Sequence, residues 1–180
     1  MRPLAIVDDL LRGNAEFAAT KWDPRESGLQ GKPAKRLAIV ACMDTRHTVE
    51  RVLGLQHGDA LVVRNAGNMV DDGTLRSLIV AVHLMGVESI CVMGHTKCAM
   101  TSVGRGEFRI ARSIAARTKV PLTDVMRPDF QRWLGGYADV EAHVRRSIAL
   151  LRGHPLLPDE VEIFGLVYDN DTGRVTPLKE

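Results

Sequence analysis

Leu37-Ala38-Ile39-Val40-Ala41-Cys42 is an apolar run with no polar alternation. A strand covered on one face alternates apolar and polar side chains. A short unbroken run therefore reads as a strand buried on both faces. Ala60 to Val63 and Ser89 to Met93 have the same character. Between these runs lie segments with helical spacing, Thr48 to Leu55 and Thr74 to Met85, the second followed by Gly86 where a helix would end. Strands alternating with helices imply right-handed crossovers and a parallel sheet. Val161 to Tyr168 reads as a fourth strand, and Asp169-Asn170-Asp171-Thr172-Gly173 as a turn into a last short strand near Val175. The expected fold class is α/β, with a mostly parallel central sheet of about four parallel strands plus a short edge strand, flanked by helices.

Working outward, Leu4 to Ala19 has helical spacing, with Leu10, Leu11, Ala15 and Ala18 on one side and Phe17 beside them. Lys21 to Arg36, with Pro24, Gly28, Gly31 and Pro33, reads as a loop. Downstream, Met100 to Thr118 is periodic but broken near Gly104 and Gly106, and a loop is expected around Pro121 and Pro128. Ala138 to Leu151 reads as an amphipathic helix ending before Gly153 and Pro155. The expected organisation is a single domain over residues 1–180, of which 1–36 are an N-terminal helix and loop.

Composition narrows the function classes. With 180 residues, 45% hydrophobic and 26% charged, the chain can bury roughly 70% of its unfolded surface, which excludes disorder. The apolar stretch Leu78 to Val87 contains His83 and falls short of the ~20 residues of a membrane span. Leu4 to Val7 is shorter than the roughly 7–15 residues of a signal-peptide core, so a cytoplasmic location is expected. Twenty-four basic against 22 acidic side chains demand neither nucleic acid nor a membrane surface as partner. Three cysteines without an export signal favour reduced thiols over a disulfide framework.

Two strand ends carry soft metal ligands. The first strand runs into Cys42-Met43-Asp44-Thr45-Arg46, the third through Gly94 into His95-Thr96-Lys97-Cys98. Ligands bind open parallel sheets at the carboxyl ends of strands, so neighbouring strands would bring Cys42, His95 and Cys98 to one crevice. His95 and Cys98 at i and i+3 could be presented by one turn of helix. Two thiolates, an imidazole and a free fourth position suit catalytic zinc. A lone strand-end cysteine is more often core, and spacing by itself leaves both readings open. Asp44 and Arg46 would share a face in extended chain. They could form a bidentate ion pair that keeps the carboxylate charged beside a metal, or a surface pair of little weight.

The combination Cys42-x-Asp44-x-Arg46 with His95-x-x-Cys98 resembles the β-class carbonic anhydrases. Gly13-Asn14 with Phe17-Ala18, Val63 to Gly67, Asp72 with Arg76-Ser77-Leu78, Val140-Glu141, Arg145-Arg146-Ser147, and Gly165 to Asp169 with Thr172-Gly173 extend the likeness over nearly the whole chain. It is nearest the short prokaryotic branch, which also includes carbonyl sulfide hydrolases. The resemblance implies one zinc ion per chain on Cys42, His95 and Cys98, with Asp44 and Arg46 as catalytic residues and water ionised at the metal attacking CO2 to give bicarbonate and a proton. Asp44 would serve as a fourth zinc ligand in a closed state. The same ligands would serve release of hydrogen sulfide and CO2 from carbonyl sulfide, and a non-catalytic zinc-binding homologue is a further alternative. The resemblance also implies a homodimer or dimer of dimers, with the N-terminal helix docking on the partner subunit.

Three positions depart from the family pattern: Ala99 where glycine is general, Lys97 where aspartate is frequent, and His47-Thr48 where an apolar residue and aspartate are common. His47 is a candidate proton shuttle, although an exposed histidine after a motif is more often a bystander. Cys98 to Arg105 has one residue too many for a phosphatase loop, and no Walker or G-x-G-x-x-G motif occurs, so Asn65 to Asn68 reads as a turn near the pocket. Arg105, Arg109 and Arg112 read as a solvated or interface face, Cys91 as core, and His83 as an interior histidine. His57, His143 and His154 carry no partner pattern.

Overall fold

The computed structural model describes residues 3–29 and 31–179. The chain divides into two compact units between Gly31 and Lys32. The first holds helix α1 (Pro3–Thr20) and a 3-10 turn at Pro24–Gly28, whose leading Asp23 side chain accepts the Arg25 backbone N–H at 2.9 Å. On α1, Ile6, Val7, Leu10, Leu11 and Phe17 are exposed.

The second unit is built on a five-stranded sheet. Its elements in chain order are β1 (Leu37–Cys42), α2 (Val49–Leu53), β2 (Ala60–Asn65), α3 (Asp72–Met85), β3 (Ser89–His95), α4 (Met100–Gly104), α5 (Arg109–Arg117), α6 (Leu122–Val125), α7 (Pro128–Leu134), α8 (Val140–Arg152), β4 (Glu162–Tyr168) and β5 (Val175–Pro177). The strand order is β2-β1-β3-β4-β5, the first four parallel and β5 antiparallel to β4, as the apolar runs implied. The periodicity of the central runs explains their position: Ala38 to Ala41 on β1 and Ile90 to Met93 on β3 are essentially inaccessible from either face. Fully burying one Ile, Leu or Val contributes roughly 1.5–3 kcal/mol. Ala38, Val40, Ile90 and Val92 pack with Leu78, Val144 and Leu151 on one face, and Ile39, Ala41, Cys91 and Met93 with Val49 on the other.

Helix α8 lies close over β3 because residue 94 is glycine. A Cβ there would stand 2.7 Å from Val140 Cγ1 and 2.9 Å from Val144 Cγ2. The chain leaves β1 toward β2 on one side and returns to β3 on the other. The reversal of strand order thus falls between β1 and β3, and the carboxyl ends of such strands are where ligands bind in open parallel sheets.

Two expectations are corrected. The segment around Pro121 and Pro128 is not loop but α6 and α7, with Pro121 as the residue before α6 and Pro128 opening α7. Proline is compatible with a helix's first turn, where its missing N–H would have no partner. His83 is exposed rather than interior, with its Nε2 2.8 Å from the Leu156 carbonyl. Among the described residues no helix is long and apolar enough to cross a membrane.

Candidate metal centre

Cys42 is the last residue of β1 and His95 the last of β3, so adjacent strands deliver both side chains to the crevice. Cys98 arrives differently from the helical turn expected. After β3, Thr96 donates its backbone N–H to the Tyr168 carbonyl at 2.9 Å, and Lys97 takes a left-handed φ of 56°. That reversal returns Cys98 to the site before α4 begins. Cys42, His95 and Cys98 are all buried, with one potential ligand atom from each within 4.8 Å of the others. The two sulfurs are 3.9 Å apart. At that distance one thiol can donate weakly to the other. The Cys98 S–H pulls the Cys42 thiol down, with the Gly67 N–H (3.3 Å from the sulfur) assisting, while the same contact and burial push Cys98 up.

Asp44 and Arg46 form the expected bidentate pair, in a turn rather than extended chain. Arg46 Nε donates to Asp44 Oδ1 at 3.0 Å and Nη2 to Oδ2 at 2.6 Å, while the Arg46 backbone N–H donates to Oδ1 at 3.0 Å. Nη2 also donates to the Lys97 carbonyl at 2.9 Å, tying the pair to the turn between His95 and Cys98. The guanidinium holds the Asp44 carboxyl well below the usual carboxylate range. Asp44 Oδ2 lies 3.9 Å from His95 Nε2, beside the prospective ligands and too far for a hydrogen bond.

Several supports of this centre had no signal of their own in the sequence. Arg64 on β2 donates to the carbonyls of Cys42 (3.0 Å), Asp44 (2.7 Å) and His47 (3.1 Å), which fixes the backbone carrying the acid. Tyr137 is buried among Cys42, Cys98 and Met100, and stacks on His143 with ring centroids 4.0 Å apart and 3° between planes. His143, without a partner pattern in the sequence, is buried with Nε2 3.1 Å from the Gly67 carbonyl. Asn170 reaches His95 Nδ1 at 2.8 Å. Asn65 to Asn68 is a turn beside the site, as expected, and Gly67 is confined there twice over. Its φ is 80°, and a Cβ would stand 2.8 Å from Met100 Cγ and 3.1 Å from Tyr137 Cε1. Gly67→Ala is therefore expected to lower stability by about 2–4 kcal/mol, from left-handed backbone plus overpacking. A denaturant midpoint equal to that of the unmodified protein would refute this.

The departures from the family pattern resolve differently. Lys97 does not leave a free cation between two ligands, because its Nζ donates to Asp171 at 2.6 Å and both side chains are exposed. Ala99 has helical φ −59° and ψ −27°, a conformation that requires no glycine. His47 is 2% exposed, against the expected exposed position. Its two ring nitrogens have no hydrogen-bond partner among the described residues, and its ring centroid lies 4.8 Å from that of His95. Burial, then His95 and the Arg64 guanidinium, push its pKa down. Cys91 is core as expected, with burial pushing its thiol up to about 12. Arg105, Arg109 and Arg112 are exposed.

The donor set fits zinc. Two sulfurs and an imidazole nitrogen are the soft and borderline ligands that this ion takes, and His95 Nε2 is a buried nitrogen with no hydrogen-bond partner among the described residues. Fold and site together define an α/β protein with a Cys-His-Cys centre beside an arginine-held carboxylate. A family model described as carbonic anhydrase matches residues 37–175. Beta-carbonic anhydrase 1 of Mycobacterium tuberculosis is 34% identical over 175 residues, covering 97% of this chain and 99% of its own. A crystal structure of carbonic anhydrase from Streptococcus mutans superposes with a TM-score of 0.81 at 34% identity, covering 96% of this chain and 97% of the other. A carbon disulfide hydrolase of Acidithiobacillus thiooxidans is 31% identical over 153 residues, covering 79% of this chain and 77% of its own. The chain belongs to the carbonic anhydrase family, in its β class, and with it to the carbonate dehydratases.

Proposed function

We propose that this protein catalyses the reversible hydration of CO2 to bicarbonate and a proton, at one zinc ion held by Cys42, His95 and Cys98. The observation that carries the reading is the buried Cys42, His95 and Cys98 cluster beside an Asp44 held ionised by Arg46. Bound there, zinc supplies the Lewis acidity that lets water ionise near neutral pH. Asp44 accepts a hydrogen bond from the water or hydroxide at the site and so turns that oxygen's lone pair toward the carbon of CO2. Arg46 keeps Asp44 in that role by occupying both carboxylate oxygens. With Arg46 released, Asp44, whose Oδ2 already lies 3.9 Å from His95 Nε2, would be near enough to serve as a fourth ligand in a closed state. Burial of His47 speaks against it as the proton's exit to buffer.

Stopped-flow CO2 hydration by zinc-loaded protein tests the proposal. A rate proportional to enzyme and abolished by Cys98→Ser is expected; a fully loaded protein with no rate above buffer would leave the non-catalytic reading. A second reading, hydrolysis of a sulfur analogue such as carbonyl sulfide, is favoured by the likeness to a carbon disulfide hydrolase. Comparison of kcat/KM on CO2, carbonyl sulfide and carbon disulfide decides between them.

The proposed domain organisation is one catalytic domain, with the N-terminal helix and loop of residues 1–36 docking on a partner subunit in a homodimer or dimer of dimers. The support is the exposed apolar set on α1, Ile6, Val7, Leu10, Leu11 and Phe17, which a second copy would cover. Sedimentation equilibrium at micromolar concentration is expected to give at least twice the 19.8 kDa chain mass. A mass of one chain would overturn the assembly. The proposed partners are the small-molecule substrate and further copies of this chain.

A further inference from the structure

The turn joining β4 to β5 reaches over the exit of β3. Thr96 donates its backbone N–H to the Tyr168 carbonyl at 2.9 Å, and the Asn170 backbone N–H donates to Thr96 Oγ1 at 3.0 Å. The Asn170 amide Nδ2 donates to the Thr96 carbonyl at 2.5 Å and lies 2.8 Å from His95 Nδ1. The Thr96 carbonyl is itself 2.9 Å from Nδ1. Further out, Lys97 pairs with Asp171. His95 is fully buried, and among the described residues its Nδ1 edge meets only this turn and Thr96, while Nε2 has no hydrogen-bond partner.

We infer that Asn170 is a positioning residue for His95: it fixes the Thr96 carbonyl that holds the Nδ1 edge of the imidazole, so that Nε2 is turned toward the Cys42 and Cys98 sulfurs. The inference rests on the zinc reading above and adds a part to it. A ring held on one side only by the Thr96 carbonyl can tilt about its χ angles. Asn170 removes that freedom by fixing the carbonyl itself, from a turn with three further ties to the 95–97 segment. The Thr96 carbonyl is the natural acceptor for an Nδ1 proton, which leaves the Nε2 lone pair for a metal. By donating to that carbonyl Asn170 also fixes where it points. Partners of this kind typically change metal affinity 10–100-fold when removed.

The test replaces Asn170 by Val, which the backbone accepts because residue 170 is not at positive φ. Asn170→Ser withdraws the amide while keeping a polar turn. Asp171→Ala is the control, breaking the Lys97 tie without touching His95. Each protein is loaded with Co2+, its absorption spectrum recorded, and metal release to excess chelator timed. Asn170→Val and Asn170→Ser are both expected to release metal about tenfold faster and to shift the cobalt ligand-field bands. Asp171→Ala is expected to stay within twofold of the unmodified protein with an unshifted spectrum. The inference is overturned if either Asn170 variant that folds keeps the original spectrum and release rate, or if Asp171→Ala reproduces their changes. Failure of the zinc reading is separate and shows in the unmodified protein, as the lack of one bound metal equivalent or as its retention by Cys98→Ser.

Discussion

Cys98→Ser is expected to leave the protein folded and almost free of zinc, with CO2 hydration at the rate of buffer. Serine is nearly isosteric with cysteine, and Cys98 sits against Met100 and Tyr137 in a small buried cluster, so packing changes little. Ligation changes a great deal. A thiolate is a soft anionic donor, whereas a serine hydroxyl stays protonated and binds zinc weakly. Binding of zinc by protein thiolates and imidazoles is worth roughly 10–16 kcal/mol. Loss of about a third of that, with one of three protein ligands gone, lowers affinity by at least a few hundredfold. Elemental analysis after dialysis against a weak chelator checks the outcome. One full equivalent of zinc in the variant would overturn the ligand assignment.

Arg46→Ala is expected to keep its zinc and lose about 100-fold in kcat/KM for CO2, the cost of misplacing one catalytic group by about an ångström. The variant retains the backbone N–H bond to Asp44 Oδ1 but loses both guanidinium contacts to the carboxylate and the tie to the Lys97 carbonyl. Released from that fork, Asp44 is expected to swing toward the bound ion and to take the position water needs. Asp44→Asn is expected to be slow too, but with the site open, because the competing anionic ligand is gone. X-ray absorption at zinc separates the two: the Arg46 variant gains a carboxylate oxygen and the Asp44 variant does not. The pH dependence follows from the sign of one shift. Arg46 lowers the Asp44 pKa, so removing it raises the pKa toward ~3.9, and the carboxylate remains ionised above pH ~5 in both proteins. Activity between pH 6 and 9 should therefore rise with pH in each, following water rather than Asp44. Wild-type coordination and wild-type kcat/KM in Arg46→Ala would remove the closed state, with Asp44 as a fourth ligand, from the mechanism.

The sheet was legible because β1 and β3 are buried on both faces, and unbroken apolar runs have few other uses in a chain of this composition. Residues contributed by strand ends were legible for the same reason: Cys42 and His95 close their runs, and Asp44, Arg46 and Cys98 follow within a few positions. The short helices were not. In α6 and α7 two prolines read as punctuation, although each stands at a helix's beginning, where proline is tolerated. His47 gave the opposite error. Its neighbours Arg46 and Thr48 are exposed, and a polar residue between them reads as surface; the turn pinned by Arg64 folds it inward against His95 and Tyr168.

What the sequence by itself determined is a set of local facts: which segments are strands, which side chains stand at their ends, and that these are the donors zinc prefers. Those depend on periodicity and residue chemistry, which act over a few neighbouring positions. Tertiary structure alone decided which distant residues share the site. Arg64 lies 17 to 22 positions from the carbonyls that it holds, His143 lies 76 from the Gly67 carbonyl, and Asn170 lies 75 from His95. No spacing rule connects such pairs. They meet because the parallel order β2-β1-β3-β4 collects strand ends at one edge and the β4–β5 turn lies over it. Burying the apolar faces of the strands sets that order, and the polar contacts at the edge follow from it.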